Sequence, residues 1–274
     1  MSEAADIDGY FVRIGYSGSR APTLETLAGI HFRHPQAIPF EHLDPLLKRP
    51  CGLDIEALER KMIHDRRGGW CFEQNCLLGT VLRTLDFRVT GLLARVLWGR
   101  PEEAAVGPRT HMLLKIDGLE AGPHIADVGF GGLTLTGPLR LVTDLEQRTP
   151  HETFRLVDRD GVFVLQAQIR DAWKSLYSFD LQPQVLADYQ VPHWFLANNP
   201  ESPFASRLMA ARVTADRRYG LLNNKLSIHH LHGDSEQVTL ADAGQLRQAL
   251  EGTFGIRLPD DPGLDALLAR MTAA

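Results

Sequence analysis

Between Phe87 and Asp180 the chain carries six short runs rich in β-branched and aromatic residues: FRVTGLLARVLWG, HMLLKID, HIADVGF, LRLV, TFRLVDRDGVFVLQAQI and WKSLYSFD. Glycine, proline and charged turns separate them, and Asp160-Gly161 between two such runs is a hairpin signal. This many strands in so short a stretch can hide their apolar faces only by curling round on themselves. The expectation is a β-barrel or a strongly curled sheet.

The flanks read differently. Up to about residue 86 the apolar residues recur at helical spacing. Thr23 can cap a helix carrying Leu24, Leu27 and Ile30 on one face. Pro35, Pro39 and Pro45 then disfavour further helix through HPQAIPFEHLDP. Asp54 can cap a second helix with Ile55, Leu58 and Met62 inward, and a third should start near Cys71 and end before Asp86. Beyond residue 183 the pattern is mixed, with helices in QVLADYQVPHWFLANNP, ADAGQLRQALEGTFG and PGLDALLARM and strands in LMAARVT and GLLNNKLSIHHL. The reading is α+β in three packed parts: an N-terminal helical bundle (1–86), a central β-barrel (87–183) and a C-terminal α/β lid (184–274). No internal repeat or low-complexity linker separates them.

Charge and cysteine usage narrow the function. A net charge of -5 over 274 residues offers no basic footprint for nucleic acid. The N-terminus is acidic and lacks a secretory pattern, and no apolar run reaches membrane-spanning length. Three cysteines, Cys51, Cys71 and Cys76, are too few and too odd in number for a disulfide framework and suit a reducing compartment. A soluble cytoplasmic protein is expected, with neither a nucleic-acid nor a membrane partner.

Cys71 stands in RRGGWCFEQN, directly after Gly68, Gly69 and Trp70. The glycines allow a positive φ or a close backbone approach. A helix beginning at Cys71 would place its sulfur at the positive end of the helix dipole, which favours a nucleophilic thiolate. The alternative is a cysteine that merely packs, and Cys76, inside the apolar stripe, suits that role better. Cys51 follows Pro50 with no chemical context. A nucleophilic thiol needs a base, and the base needs a carboxylate to orient it. His111 opens the run HMLLKI, and Asp127 lies within HIADVGF, where a carboxylate is costly without a partner. The two share a face only in registers whose paired residue numbers sum to an even value. Cys71, His111 and Asp127 are thus a candidate triad.

RGGWCFEQN resembles the RGG-x-CFE-x-N segment of the arylamine N-acetyltransferases. IPFEHLD (38–44) is similar to that family's IPFENLD, with His42 in place of asparagine. RTHMLL (109–114) is similar to its R-T-H-x-x-L strand, IADVGFGG (125–132) to its I-x-D-V-G-F-G-G, and YFVRIGY to its opening Y-F-x-R-I. The matches fall in order across residues 10–142. The resemblance implies a three-domain fold with a barrel in the middle, and a cysteine-protease-like Cys-His-Asp core at Cys71, His111 and Asp127. It implies acetyl-CoA as donor, aromatic amines or hydrazines as acceptors, an acetyl-cysteine intermediate with ping-pong kinetics, and a place in xenobiotic metabolism. Trp70 stands at a position that varies in the family, where its bulk would narrow the acyl pocket.

GFGGLTLTG (129–137) can be a tight barrel turn, or a backbone that approaches coenzyme A phosphates through Gly131, Gly132 and Thr134. It lacks the lysine of a nucleotide P-loop. Phe40, Phe130 and Phe204 are candidates to line an aromatic pocket. Rival readings are a papain- or transglutaminase-like thiol hydrolase using the same three residues, and a zinc site at Cys71 and Cys76. The C-x4-C spacing with no second pair is weak for zinc, so no metal is expected.

Overall fold

The computed structural model describes residues 4–101, 105–231 and 233–273. Helix α1 (Ile7–Ile14) is capped by Asp6, which accepts from the Gly9 N–H. Helix α2 (Leu24–Ala37) is capped as expected by Thr23, which accepts from the Thr26 N–H. The helix does not stop at Pro35. That residue sits in the last turn, where the missing N–H removes a single bond, and the buried Ile30, His31 and His34 hold the turn against the core. The chain then forms β1 (Phe40–Glu41) and α3 (Leu43–Leu46), where Pro45 falls in a first turn that tolerates it. Helix α4 (Ile55–Glu59), capped by Asp54, runs on into a π-helical turn over Arg60–His64. Helix α5 (Cys71–Thr84) follows.

The middle of the chain supplies β2 (Arg88–Val96), β3 (Arg109–Asp117), β4 (His124–Ala126), β5 (Leu139–Arg140), β6 (Gln147–Arg148), β7 (Thr153–Arg159), β8 (Val162–Ile169) and β9 (Ala172–Phe179). They form one antiparallel sheet in the order β5-β4-β3-β2-β9-β8-β7-β6. Its two edges meet through Gln147, whose side chain accepts from the Arg140 N–H at 2.7 Å and donates to the Arg140 carbonyl at 3.0 Å. The barrel is therefore nearly closed around Leu113, Ile125, Phe154, Leu165 and Leu176. Asp160 and Gly161 both take positive φ, at 56° and 82°, as a tight hairpin requires. Strand β4 is shorter than its apolar run and stops at Ala126, so Asp127 lies just beyond it rather than within it.

The last part contains α6 (Leu186–Asn198), α7 (Pro203–Ser206), β10 (Met209–Val213), β11 (Arg217–Leu222), β12 (Lys225–His230), β13 (Ser235–Thr239), α8 (Ala243–Gln248) and α9 (Leu264–Thr272). Its sheet runs β1-β10-β11-β12-β13, so a strand from the first part completes it. The sequence boundaries at 86 and 183 fall in connections between elements, but the packing crosses them. One core cluster joins Leu27, Phe72 and Leu78 to Met112 and Leu114 of the barrel and to Tyr189 and Leu196 of α6.

A buried charge cluster ties the 38–49 segment to the start of α5. Arg67 donates to Glu41 Oε1 from Nε at 3.0 Å and from Nη2 at 2.8 Å, and to Asp44 from Nη1 at 2.6 Å. Lys61 bridges Asp44 at 2.7 Å and Glu73 at 2.8 Å. Burial alone would raise the carboxyls of Glu41 and Asp44, but Arg67 and Lys61 hold both below the ordinary range. Removing one partner from such a cluster strands the other charges. Arg67→Met should therefore cost about 3–5 kcal/mol of unfolding free energy by urea denaturation. A loss under about 1 kcal/mol would show that the cluster matters little. In the parent chain both carboxyls have depressed pKa values, so their contribution is present above about pH 4.5. It is lost as the pH falls through the folded values.

Candidate active site

The glycines before Cys71 serve close approach rather than positive φ. The strand-like segment at Phe40 runs beside Gly69, with the Gly69 N–H donating to the Pro39 carbonyl and the Glu41 N–H to the Gly69 carbonyl, each at 3.1 Å. A Cβ on Gly68 would lie 2.1 Å from the Pro39 oxygen, so no larger residue fits. Gln74 stitches the same place by donating to the Pro39 and Gly69 carbonyls at 3.0 and 2.6 Å. Positive φ falls instead on Arg66, at 51°.

Cys71 is the first residue of α5. The Trp70 N–H that precedes it is capped by Glu73 at 3.1 Å. Cys71 is buried; its sulfur points to the Thr110 carbonyl at 3.7 Å and is near enough to His111 to help raise that ring's pKa. His111 Nε2 meets Asp127 Oδ2 at 2.7 Å. The even-sum register holds, since Leu114 pairs with Ala126 and Ile116 with His124. Burial would lower the His111 pKa, but the Asp127 charge and hydrogen bond, followed by the Cys71 contact, raise it to about 10. Cys51 and Cys76 have no such partner, and burial pushes each thiol up to about 12. The three residues read from the sequence thus meet at one place.

Asp127 is fully buried and its free energy depends on residues that sequence reading left unassigned. Its Oδ1 accepts from Asn75 Nδ2 at 3.0 Å and from the Gly129 N–H at 2.9 Å. Asn75 also donates to the Met112 carbonyl at 2.7 Å and accepts from the Val128 N–H at 3.2 Å. It lies one turn beyond Cys71 on the same face of α5, and that spacing is the signal that could have found it. His31 Nε2 accepts the Asp127 N–H at 3.1 Å, which requires a neutral ring; burial holds its pKa down at about 4. Nothing in the sequence pairs His31 with a residue 96 positions away.

The proposed coenzyme A residues part company. Gly132 lines a cavity of about 790 Å³ shared with Trp98, Phe130, Arg170, Arg218 and His229. Gly131, at φ 78°, turns against the Phe40 ring instead. Thr134 is buried, and its hydroxyl donates to the Asp127 carbonyl at 3.2 Å, so it closes the loop rather than facing the cavity. Arg218 holds that loop from outside. Its guanidinium donates to the Gly132 and Thr134 carbonyls at 3.3 and 3.0 Å while paired with Glu152 at 2.7 Å.

The aromatic candidates divide likewise. Phe130 packs edge-on to His111 with centroids 5.1 Å apart and also contacts Tyr177. Phe40 and Phe204 form a separate group, 6.2 Å apart, in which Phe204 stacks on His42 at 4.4 Å and meets Trp70 at 4.9 Å. Trp70 is fully buried between Phe204 and His193.

Over most of its length the chain is similar to known proteins. A family model described as N-acetyltransferase matches residues 23–262. The arylamine N-acetyltransferase of Mycobacterium tuberculosis is 42% identical over 280 residues, covering 99% of each chain. That of Escherichia coli is 42% identical over 252 residues, covering 92% of this chain and 89% of its own. The solved structure from M. tuberculosis superposes with a TM-score of 0.93 at 42% identity, covering 96% of this chain and 100% of that one. The Mycobacterium marinum arylamine N-acetyltransferase in complex with CoA gives 0.93 at 40% identity, over 97% and 99%.

The electrostatics can be read directly. In an NMR titration the His111 ring should stay protonated through neutral pH and titrate near pH 10. Asp127→Asn should bring the midpoint down by more than a unit, because the largest raising influence is gone. A midpoint near 6.5 in the parent chain, the ordinary histidine value, would refute the pairing. Folding raises this pKa, so the pair's contribution to stability is complete below about pH 6.5 and fades as the pH climbs through 10.

Proposed function

This chain belongs to the arylamine N-acetyltransferase family, and we propose that it moves an acetyl group from acetyl-CoA to the nitrogen of an aromatic amine or hydrazine through an acetyl-Cys71 intermediate. The observation that carries the proposal is a buried His111–Asp127 pair meeting a cysteine at the head of α5.

In this reading the pair works as a thiolate and an imidazolium. Asp127 engages Nε2, so proton transfer falls to Nδ1. The Cys71 sulfur attacks the thioester carbonyl, the carbon–sulfur bond to coenzyme A breaks, and His111 returns a proton to the departing thiolate. Acetylation removes the Cys71 thiol contact that helps raise the His111 pKa, leaving a neutral imidazole better suited to act as a base. The amine nitrogen then attacks the acetyl-cysteine, His111 takes its proton, and the Cys71 thiolate leaves. Asp127 fixes the tautomer and balances the cation at each stage. The Cys71 N–H lies in the first turn of α5, where it has no intrahelical acceptor, and is offered to the oxyanion.

Coenzyme A is assigned to the cavity that begins at Phe130 and Gly132. Arg170 and His229 in its lining suit phosphate groups, and Trp98 offers a flat apolar surface. The solved relative in complex with CoA supports coenzyme A as co-substrate.

Mass spectrometry after acetyl-CoA alone should find an acetyl adduct on Cys71, and steady-state data should give parallel double-reciprocal lines. Adding an arylamine should accelerate coenzyme A release and yield the N-acetyl product. Cys71→Ser should retain the fold by circular dichroism and lose turnover by at least about a thousandfold. If no adduct forms and the amine leaves coenzyme A release unchanged, a thiol hydrolase is the better description.

A further inference from the structure

A second cleft shares no lining residue with the cavity described above. It has a volume of about 940 Å³ and is walled by residues 45–54, by α6 and by α9. His193 lines this cleft and sets its ring edge-on to Trp70 with centroids 4.7 Å apart. The volume is within the range of small-molecule sites. None of the residues assigned above to acetyl transfer or to coenzyme A lines it.

Three features of the lining specify a ligand. The first is apolar surface left in water. Trp194 is 66% and Leu186 47% exposed, although both stand on a cleft wall that also includes Leu46 and Ala197. A flat, apolar body laid on the indole would cover this area. The second is charge. Arg49 is matched by Asp44 and Asp261, each at 3.3 Å. Lys48 and Arg270 also face the cleft, and among the described residues neither has a carboxylate partner. The one carboxylate of the lining, Asp54, is committed to capping the Ala57 N–H at 2.9 Å.

The third feature is an unused acceptor. His193 Nε2 lies 3.2 Å from the Cys51 carbonyl, and a carbonyl can only accept, so Nε2 carries the hydrogen. Burial keeps this ring neutral by lowering its pKa to about 4. Nδ1 is therefore a bare lone pair, and it is buried without a partner in a side chain only 5% exposed.

We propose that this cleft is a second binding site, for an aromatic organic anion. The ring rests on Trp194, a carboxylate or sulfonate is met by Lys48 and Arg270, and a hydrogen-bond donor on the ligand can satisfy His193. The site is separate from the acetyl-transfer centre, and its existence does not rest on the function proposed above.

Anilinonaphthalene sulfonate combines the three properties and reports its own burial by fluorescence. Titrated into the intact protein, it should saturate a site from which excess coenzyme A does not displace it. The double variant Lys48→Ala, Arg270→Ala should weaken binding about tenfold, since two partly exposed cations are lost. Trp194→Leu should weaken probe binding, because the aromatic surface under the ring is gone. Both cations are exposed, so circular dichroism should be unchanged; should the double variant fail to fold, Arg270→Ala alone decides with a weakening of about threefold. The proposal is overturned by displacement with coenzyme A, by unchanged affinity in the cation variants, or by no saturable binding at all.

Discussion

Arg67 and the charges around it set the geometry on which the rest of the molecule depends. The guanidinium spans Glu41 and Asp44, and Lys61 continues the chain of charge to Glu73. Through these contacts a loop, a π-helical turn and the first turn of α5 become one rigid corner. Cys71 begins at that corner, because Glu73 caps the Trp70 amide while held by Lys61. Such a cluster adds little net stability compared with an apolar core of equal volume, but it tolerates only one arrangement. Cys71, which meets His111 from another part of the chain, gains from that intolerance.

The same principle recurs at Asp127. A carboxylate with no exposed surface is sustained by His111, by Asn75, by the Gly129 amide and, through its own backbone, by His31. These partners come from α2, α5, β3 and the loop after β4. Each satisfies a group whose burial would otherwise cost several kcal/mol. Arg218 extends this support outward, since it pins the carbonyls of the loop following Asp127 from the third part of the chain.

Trp70 links the start of α5 to the second cleft through His193. Trp70 lies directly before Cys71 and is wedged between Phe204 and His193. On the Phe204 side it joins the aromatic group of Phe40 and His42, and through His193 it backs the cleft proposed for an organic anion.

What was legible from the sequence was local. The caps at Thr23 and Asp54, the helix starting at Cys71, the hairpin at Asp160-Gly161 and the change of period near Phe87 follow from bonds within a few residues, where side-chain chemistry and backbone conformation are directly coupled. The ordered motifs around Cys71, His111 and Asp127 were legible too, because they match a family pattern. Tertiary structure decided the rest. Pro35 stays in a helix because its neighbours are buried, and β4 ends early because Asp127 turns to its partners. Thr134 closes a loop by donating to the Asp127 carbonyl. The links from His31 to Asp127, from Arg67 to Glu41 and from Arg218 to Glu152 join residues distant in the chain. A buried polar group must find a partner, but its identity depends on which elements arrive beside it, and one-dimensional spacing carries no record of that meeting.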